Sequence, residues 1–148
     1  SRTNSAYGAA LGVFLKQKLS KKPFTIVGTG NQKRDFIYVT DVCEAFYKSI
    51  ERNISNEILN IGSGNPKSVN HLVSLIKGQK IYIKKRPGEP FITHANIAKA
   101  KKYLNWKPIV NLDSGIKLVL NDISYWKNAP LWDEKKIADA TKEWFKYL

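Results

Sequence analysis

PFTIVGTGNQKRDFIYVTDVCEAF, residues 23–46, divides into four parts whose order decides the fold. Phe24 to Val27 is aromatic and β-branched, a composition suited to a short buried strand. Gly28 to Lys33 follows as a turn, because Gly28 and Gly30 can take positive φ and Asn31 tolerates it. Arg34 to Val39 reads as a second strand. Asp41 then opens a helix, with Glu44 three residues later in the manner of a capping box. Arg34 therefore stands where the turn meets the second strand, between rigid neighbours. A guanidinium held there can grip a phosphate or a carboxylate through two parallel hydrogen bonds. The competing reading of Arg34 is a surface ion pair with Asp35 or Glu44.

Upstream, Tyr7 to Leu19 has helical spacing through Leu11, Phe14, Leu15 and Leu19, and Lys21-Lys22-Pro23 ends it. Gly8, Ala9, Ala10 and Gly12 would let another element or a ligand come close. Downstream, the helix from Asp41 to Arg52 is amphipathic through Val42, Cys43, Ala45, Phe46 and Ile50, with Cys43 read as a small buried residue. Ile58 to Ile61 reads as a strand closed by the turn Gly62 to Pro66. Ser68 caps a helix carrying Val69, Leu72, Val73 and Ile76 on one face. Ile81 to Ile83 is a strand that leads into the loop Lys84-Lys85-Arg86-Pro87-Gly88-Glu89-Pro90. Asn96 opens a helix with Ile97, Ala100 and Leu104, and Asn105 to Pro108 ends it. Helices from Leu112 and from Asp133-Glu134 complete the chain. The result is a mixed α/β pattern of about six helices and four short strands in one domain.

GTGNQKRDFIYVTDV resembles the G-x-G-x-x-x-R-D-F-[IV]-Y-V-x-D-V segment of the extended short-chain dehydrogenase/reductase family. These are the NAD-dependent nucleotide-sugar epimerases and dehydratases, UDP-glucose 4-epimerase among them. YGAALGVFL, ILNIGSGNPKSVNHLVSLI, KKRPGEP, HANIAKAKKYLNWKP and LDSGIKLVLNDISYW recur in the expected order, so the resemblance covers nearly the whole chain. It implies an α/β fold, the C-terminal, substrate-binding portion of an extended Rossmann-type enzyme over residues 1–148. The absence of Met agrees with a piece of a longer protein. Residues 34–64 are then expected to pack on an N-terminal Rossmann domain that lies outside this sequence. That domain would bind NAD and carry the catalytic groups, so no catalytic or cofactor-binding residue is assigned here.

The resemblance implies a nucleoside-diphosphate-sugar pocket, for a UDP-sugar first of all. Thr25 and Val27 match positions that line the nucleobase pocket. Arg34 and Arg86 match two arginines that grip the diphosphate, and Glu89 matches the acid that accepts from the ribose hydroxyls. The chemistry suits these roles, because guanidinium forks fit a compact dianion and a carboxylate accepts from vicinal hydroxyls. Asn96 stands where the family often has Asp, and Thr93 where galactose epimerases tend to place Tyr. The family further implies a cytoplasmic protein that is a homodimer at full length.

Bulk properties frame these expectations. The net charge is +13, and only four of the 25 basic residues are Arg. A stand-alone basic module for nucleic acid or other acidic polymers is the alternative reading. The lysines, however, are spread from Lys16 to Lys146 without the Arg forks and aromatic platforms of nucleic-acid readers. One Cys excludes an internal disulfide framework. Two histidines without a Cys or carboxylate cluster point away from a metal site. No apolar run approaches the roughly 20 residues of a membrane span.

Overall fold

The structure is a computed structural model that describes residues 10–147. Tyr7, Gly8 and Ala9, part of the first expected helix, lie outside the described residues. That helix, α1, spans Ala10–Leu19. Strand β1 follows at Phe24–Val27 and pairs in parallel with β4 at Lys80–Ile83, from Phe24 opposite Lys80 to Val27 opposite Ile83. β1 is the inner of the two, its first three residues buried. β4 alternates exposed and half-buried residues, as a strand with one solvated face should. The free edge of β1 has no strand beside it. Gln17 of α1 supplies the partner instead, its Oε1 accepting from Thr25 N at 3.2 Å and its Nε2 donating to Thr25 Oγ1 at 2.9 Å.

A second ladder is minimal. β2, Lys33–Arg34, runs antiparallel to β3, Lys67–Ser68, and Lys33 also bridges to Ile92. The expected strand from Arg34 to Val39 is thus paired only at its start. The expected strand at Ile58 to Ile61 does not form, and Ile58 is 87% exposed. Its apolar pattern asks for a neighbouring strand, and no described residue offers one. The turn between β1 and β2 has the predicted geometry, with φ of 61° at Gly28 and 75° at Gly30. A Cβ on Gly30 would lie 2.4 Å from Asn70 Oδ1, so this position needs glycine on both counts.

Helix α2 spans Val39–Glu51 with Tyr38 at its N-cap, so the expected capping box of Asp41 and Glu44 is not present. Asp41 is buried inside the first turn. Its carboxylate accepts from the backbone N of Ile109 and Val110, at 3.2 and 3.0 Å. Glu44 faces Lys48 at 3.4 Å. Cys43 is exposed rather than buried. Helix α3, Val69–Ile76, is capped by Ser68, whose hydroxyl accepts from His71 N, and it buries Val69, Leu72, Val73 and Ile76 as its spacing predicts. Helix α4 spans Ala98–Leu104 and stops at Asn105, which is left-handed at φ 49°. Helix α5, Leu112–Asn121, is capped by the Asn111 side chain, and α6 spans Glu134–Tyr147.

Two apolar clusters hold these elements together. Phe14, Phe24, Ile26, Leu72, Val73, Ile76 and Ile116 join α1, β1, α3 and α5. Ala45, Ile97, Ala100, Leu104 and Trp106 join α2 to α4. Trp106 Nε1 donates to Asp41 O at 3.0 Å, which closes the second cluster over the buried carboxylate. The outer face of α2 is left bare. Val39, Phe46, Tyr47 and Ile50 are 58–79% exposed.

Candidate functional site

Arg34 lies in β2, one turn beyond β1, and its guanidinium is aimed across the chain. Nη1 donates to Lys33 O at 2.8 Å and to Pro90 O at 2.9 Å. It makes no ion pair with Asp35 or Glu44 among the described residues. Pro90 closes the loop that carries Arg86 and Glu89, so one hydrogen bond joins positions 56 residues apart. Within that loop Arg86 Nη1 meets Glu89 Oε1 at 2.9 Å, with the two side chains only 13% and 22% exposed. Arg34 thus holds the backbone of the residue after Glu89, while Arg86 and Glu89 hold each other.

Glu89 also lines a cleft of about 190 Å³ with Val27, Gly28, Gln32, Pro90 and Phe91, among others, whereas neither Arg34 nor Arg86 lines it. Val27, at the end of β1, lines this cleft. Thr25 is not on this surface. It is 6% exposed, and its hydroxyl and backbone N are engaged by Gln17 on the core side of β1. Residues 25 and 27 of a strand share a face, but Thr25 is covered by Gln17 while Val27, the last residue of β1, is half-buried and reaches the cleft. Gln32 and Phe91 were not singled out by sequence reasoning. Neither carries a motif signal, and both reach the cleft through backbone pairing that the sequence does not state.

Asp35 organises the far side of the site. Its carboxylate accepts from Ser63 N at 2.7 Å, Ser63 Oγ at 2.5 Å, Gly64 N at 3.1 Å and Ala95 N at 3.0 Å. Burial pushes its pKa up, but these hydrogen bonds to the charged form outweigh it and hold the carboxyl below its ordinary value. Asp35 thus ties β2, the Gly62 turn and the segment ahead of α4 to a single point. A larger cleft of about 410 Å³, bordered by Phe36, Lys67, Ile109 and Asp113, contains none of the residues predicted from sequence.

The Gly62-Ser63-Gly64 turn is closely packed, since a Cβ on Gly62 would lie 2.4 Å from that of Ala95, and Ile97 backs Gly64. In the turn after β1, Asn70 crowds Gly30 while Gly28 borders the cleft. Tyr103 and Lys107 have the Y-x-x-x-K spacing of a catalytic pair in this class of enzyme. The left-handed Asn105 lies between them and takes Lys107 off the helix, so they are not presented on one helical face.

Known proteins resemble this chain in sequence and in fold. Residues 2–62 match the family model described as the NAD dependent epimerase/dehydratase family. A UDP-glucuronate 4-epimerase of Thermodesulfobacterium geofontis is 34% identical over 115 residues, 73% of this chain and 35% of that protein. The crystal structure of UDP-glucuronic acid 4-epimerase from Bacillus cereus with UDP-glucuronic acid and NAD superposes with a TM-score of 0.74. It is 33% identical over 80% of this chain and 40% of its own. UDP-glucose 4-epimerase of Thermotoga maritima with UDP-glucose gives a TM-score of 0.73, at 30% identity over 84% of this chain and 41% of its own. The chain spans 28–39% of the length of the curated relatives compared.

Proposed function

We propose that this chain, which belongs to the NAD-dependent epimerase/dehydratase family, forms the nucleotide-sugar-binding portion of an enzyme acting on UDP-sugars. In this reading residues 1–148 are a C-terminal domain. Residues 34–64 cover a Rossmann domain that holds NAD and the catalytic groups, so the chain alone turns nothing over. The bare face of α2 and the unpaired segment at Ile58 support that placement, because a large apolar surface is normally an interface. Cys43, exposed and unpaired, suits a reducing compartment. The reading places the whole protein in the cytoplasm as a homodimer.

The observation that supports the assignment is the bond from Arg34 to Pro90 O, which ties Arg34 to the loop that carries Arg86 and Glu89. Two guanidinium groups then face one diphosphate. Glu89 gives Oε1 to Arg86 and keeps Oε2 for a ribose hydroxyl. Val27 borders the base and Thr25 supports the strand from behind.

UDP titrated into the wild-type chain and into Arg34→Ala and Arg86→Ala, followed by heteronuclear NMR, tests the assignment. Each substitution should weaken binding roughly tenfold or more, the range of a charge-assisted hydrogen bond. Arg34→Lys should lose most of the same affinity, because the charge remains but the fork is gone. Equal affinities in wild type and both alanine variants would end the diphosphate assignment.

A further inference from the structure

We propose that Phe91 is the stacking platform for the nucleobase and that Gln32 reads the edge of the base. The proposal rests on the diphosphate reading above and deepens it. Phe91 is 58% exposed, yet its backbone is among the best-held in its loop. Its carbonyl accepts from Lys33 N at 2.8 Å, and Thr93 N returns a bond to Lys33 O at 3.1 Å. Ile92 between them bridges to Lys33. A large ring fixed at its base and left open to solvent on the rim of a cleft is ready to meet a flat ligand. It also loses little freedom when it does. An exposed Phe alone would mean little. Here it shares the cleft with Glu89 and Pro90, and Pro90 O is the atom that anchors Arg34. A base on Phe91 would therefore adjoin the cations assigned to the diphosphate.

Gln32 supplies the directional contact. Its Nε2 donates to Val27 O at 2.8 Å, and because a carbonyl can only accept, that bond fixes which end of the amide is which. Its own carbonyl accepts from Val69 N at 3.1 Å, which holds the backbone in place. Oε1 has no hydrogen-bond partner among the described residues, and Gln32 lines the cleft. A fixed acceptor calls for an N–H on the edge of the base. Uracil and thymine offer one at N3, whereas cytosine has a lone pair there and can donate only from its exocyclic N4 amino group, so the two kinds of base must sit differently against Gln32.

The test compares UDP, CDP and inorganic pyrophosphate in the wild-type chain and in Phe91→Ala, Phe91→Trp, Gln32→Met and Arg34→Ala, by the same NMR titration. Stacking on one aromatic ring gives an expected loss of about tenfold in UDP affinity for Phe91→Ala. Pyrophosphate affinity should stay unchanged, and Phe91→Trp should restore UDP binding. Gln32→Met should narrow the preference for UDP over CDP. UDP binding that survives Phe91→Ala intact, or wild type binding UDP no more tightly than pyrophosphate, would overturn the inference while Arg34→Ala still weakens both ligands. Failure of the diphosphate reading looks different, because UDP would then ignore Arg34→Ala or not bind at all.

Discussion

Gln17 has no exposed surface, and it carries both amide functions into the core between α1 and β1. Nε2 donates to Thr25 Oγ1 and to Trp132 O, and Oε1 accepts from Thr25 N. Replacing it with Leu keeps the volume and strands the buried N–H and hydroxyl of Thr25. Each unsatisfied group costs about 1–3 kcal/mol. Gln17→Leu should therefore lower the unfolding free energy by at least about 2 kcal/mol, read from urea denaturation. A loss below about 0.5 kcal/mol, the scale of an ordinary surface change, would remove Gln17 from this role. Asp35 makes a pH-dependent forecast. Its folded pKa lies below the ordinary value, so its contribution is complete above about pH 4 and fades as pH falls through the lower folded value. Asp35→Asn should be less stable than wild type at pH 7, with the difference shrinking progressively below about pH 4. Thermal melts of the two proteins from pH 7 to pH 2.5 measure it, and a gap that does not change with pH would mean that charge plays no part.

Among the elements, α2 departs furthest from a self-sufficient helix. Its inner face is pinned by Ala45, by the buried Asp41 and by the Trp106 indole, while Phe46, Tyr47 and Ile50 face outward. The spacing of apolar residues announces such a helix but cannot say how many of its faces will be covered. Asp41 was read as a cap because an acid three residues before a Glu resembles one. In the folded chain its oxygens serve backbone donors 68 and 69 residues away. The exposed side should make the chain self-associate at high concentration. Phe46→Ser combined with Ile50→Ser should reduce that association in sedimentation velocity without lowering the melting temperature, because neither side chain is packed. A double variant that melts well below wild type would show that these residues support the chain itself. Loss of the self-association with stability intact is the expected outcome.

Across the whole molecule, the local chemistry of the chain was legible and its pairings were not. Gly28 and Gly30 could be placed in a turn because few other residues tolerate positive φ. Ser68 could be placed as a cap because a hydroxyl ahead of an apolar face satisfies an orphan N–H. The apolar spacing of α3 named its buried residues in full. These are properties of a few consecutive residues, set by sterics and by local hydrogen bonds. Val27, Arg34, Arg86 and Glu89 could be proposed as one site only through resemblance, since spaced motifs carry a family's pattern. What placed Arg34 against Pro90 was the pairing of Lys33 with the segment after it, a contact between residues that sequence order keeps far apart. The same long-range pairing put Phe91 and Gln32 beside the site and turned Thr25 into the core. It also left Ile58 to Ile61 without a strand partner. A strand, a cleft or a buried carboxylate needs its partner as much as its own residues, and that partner is chosen only when the chain closes on itself.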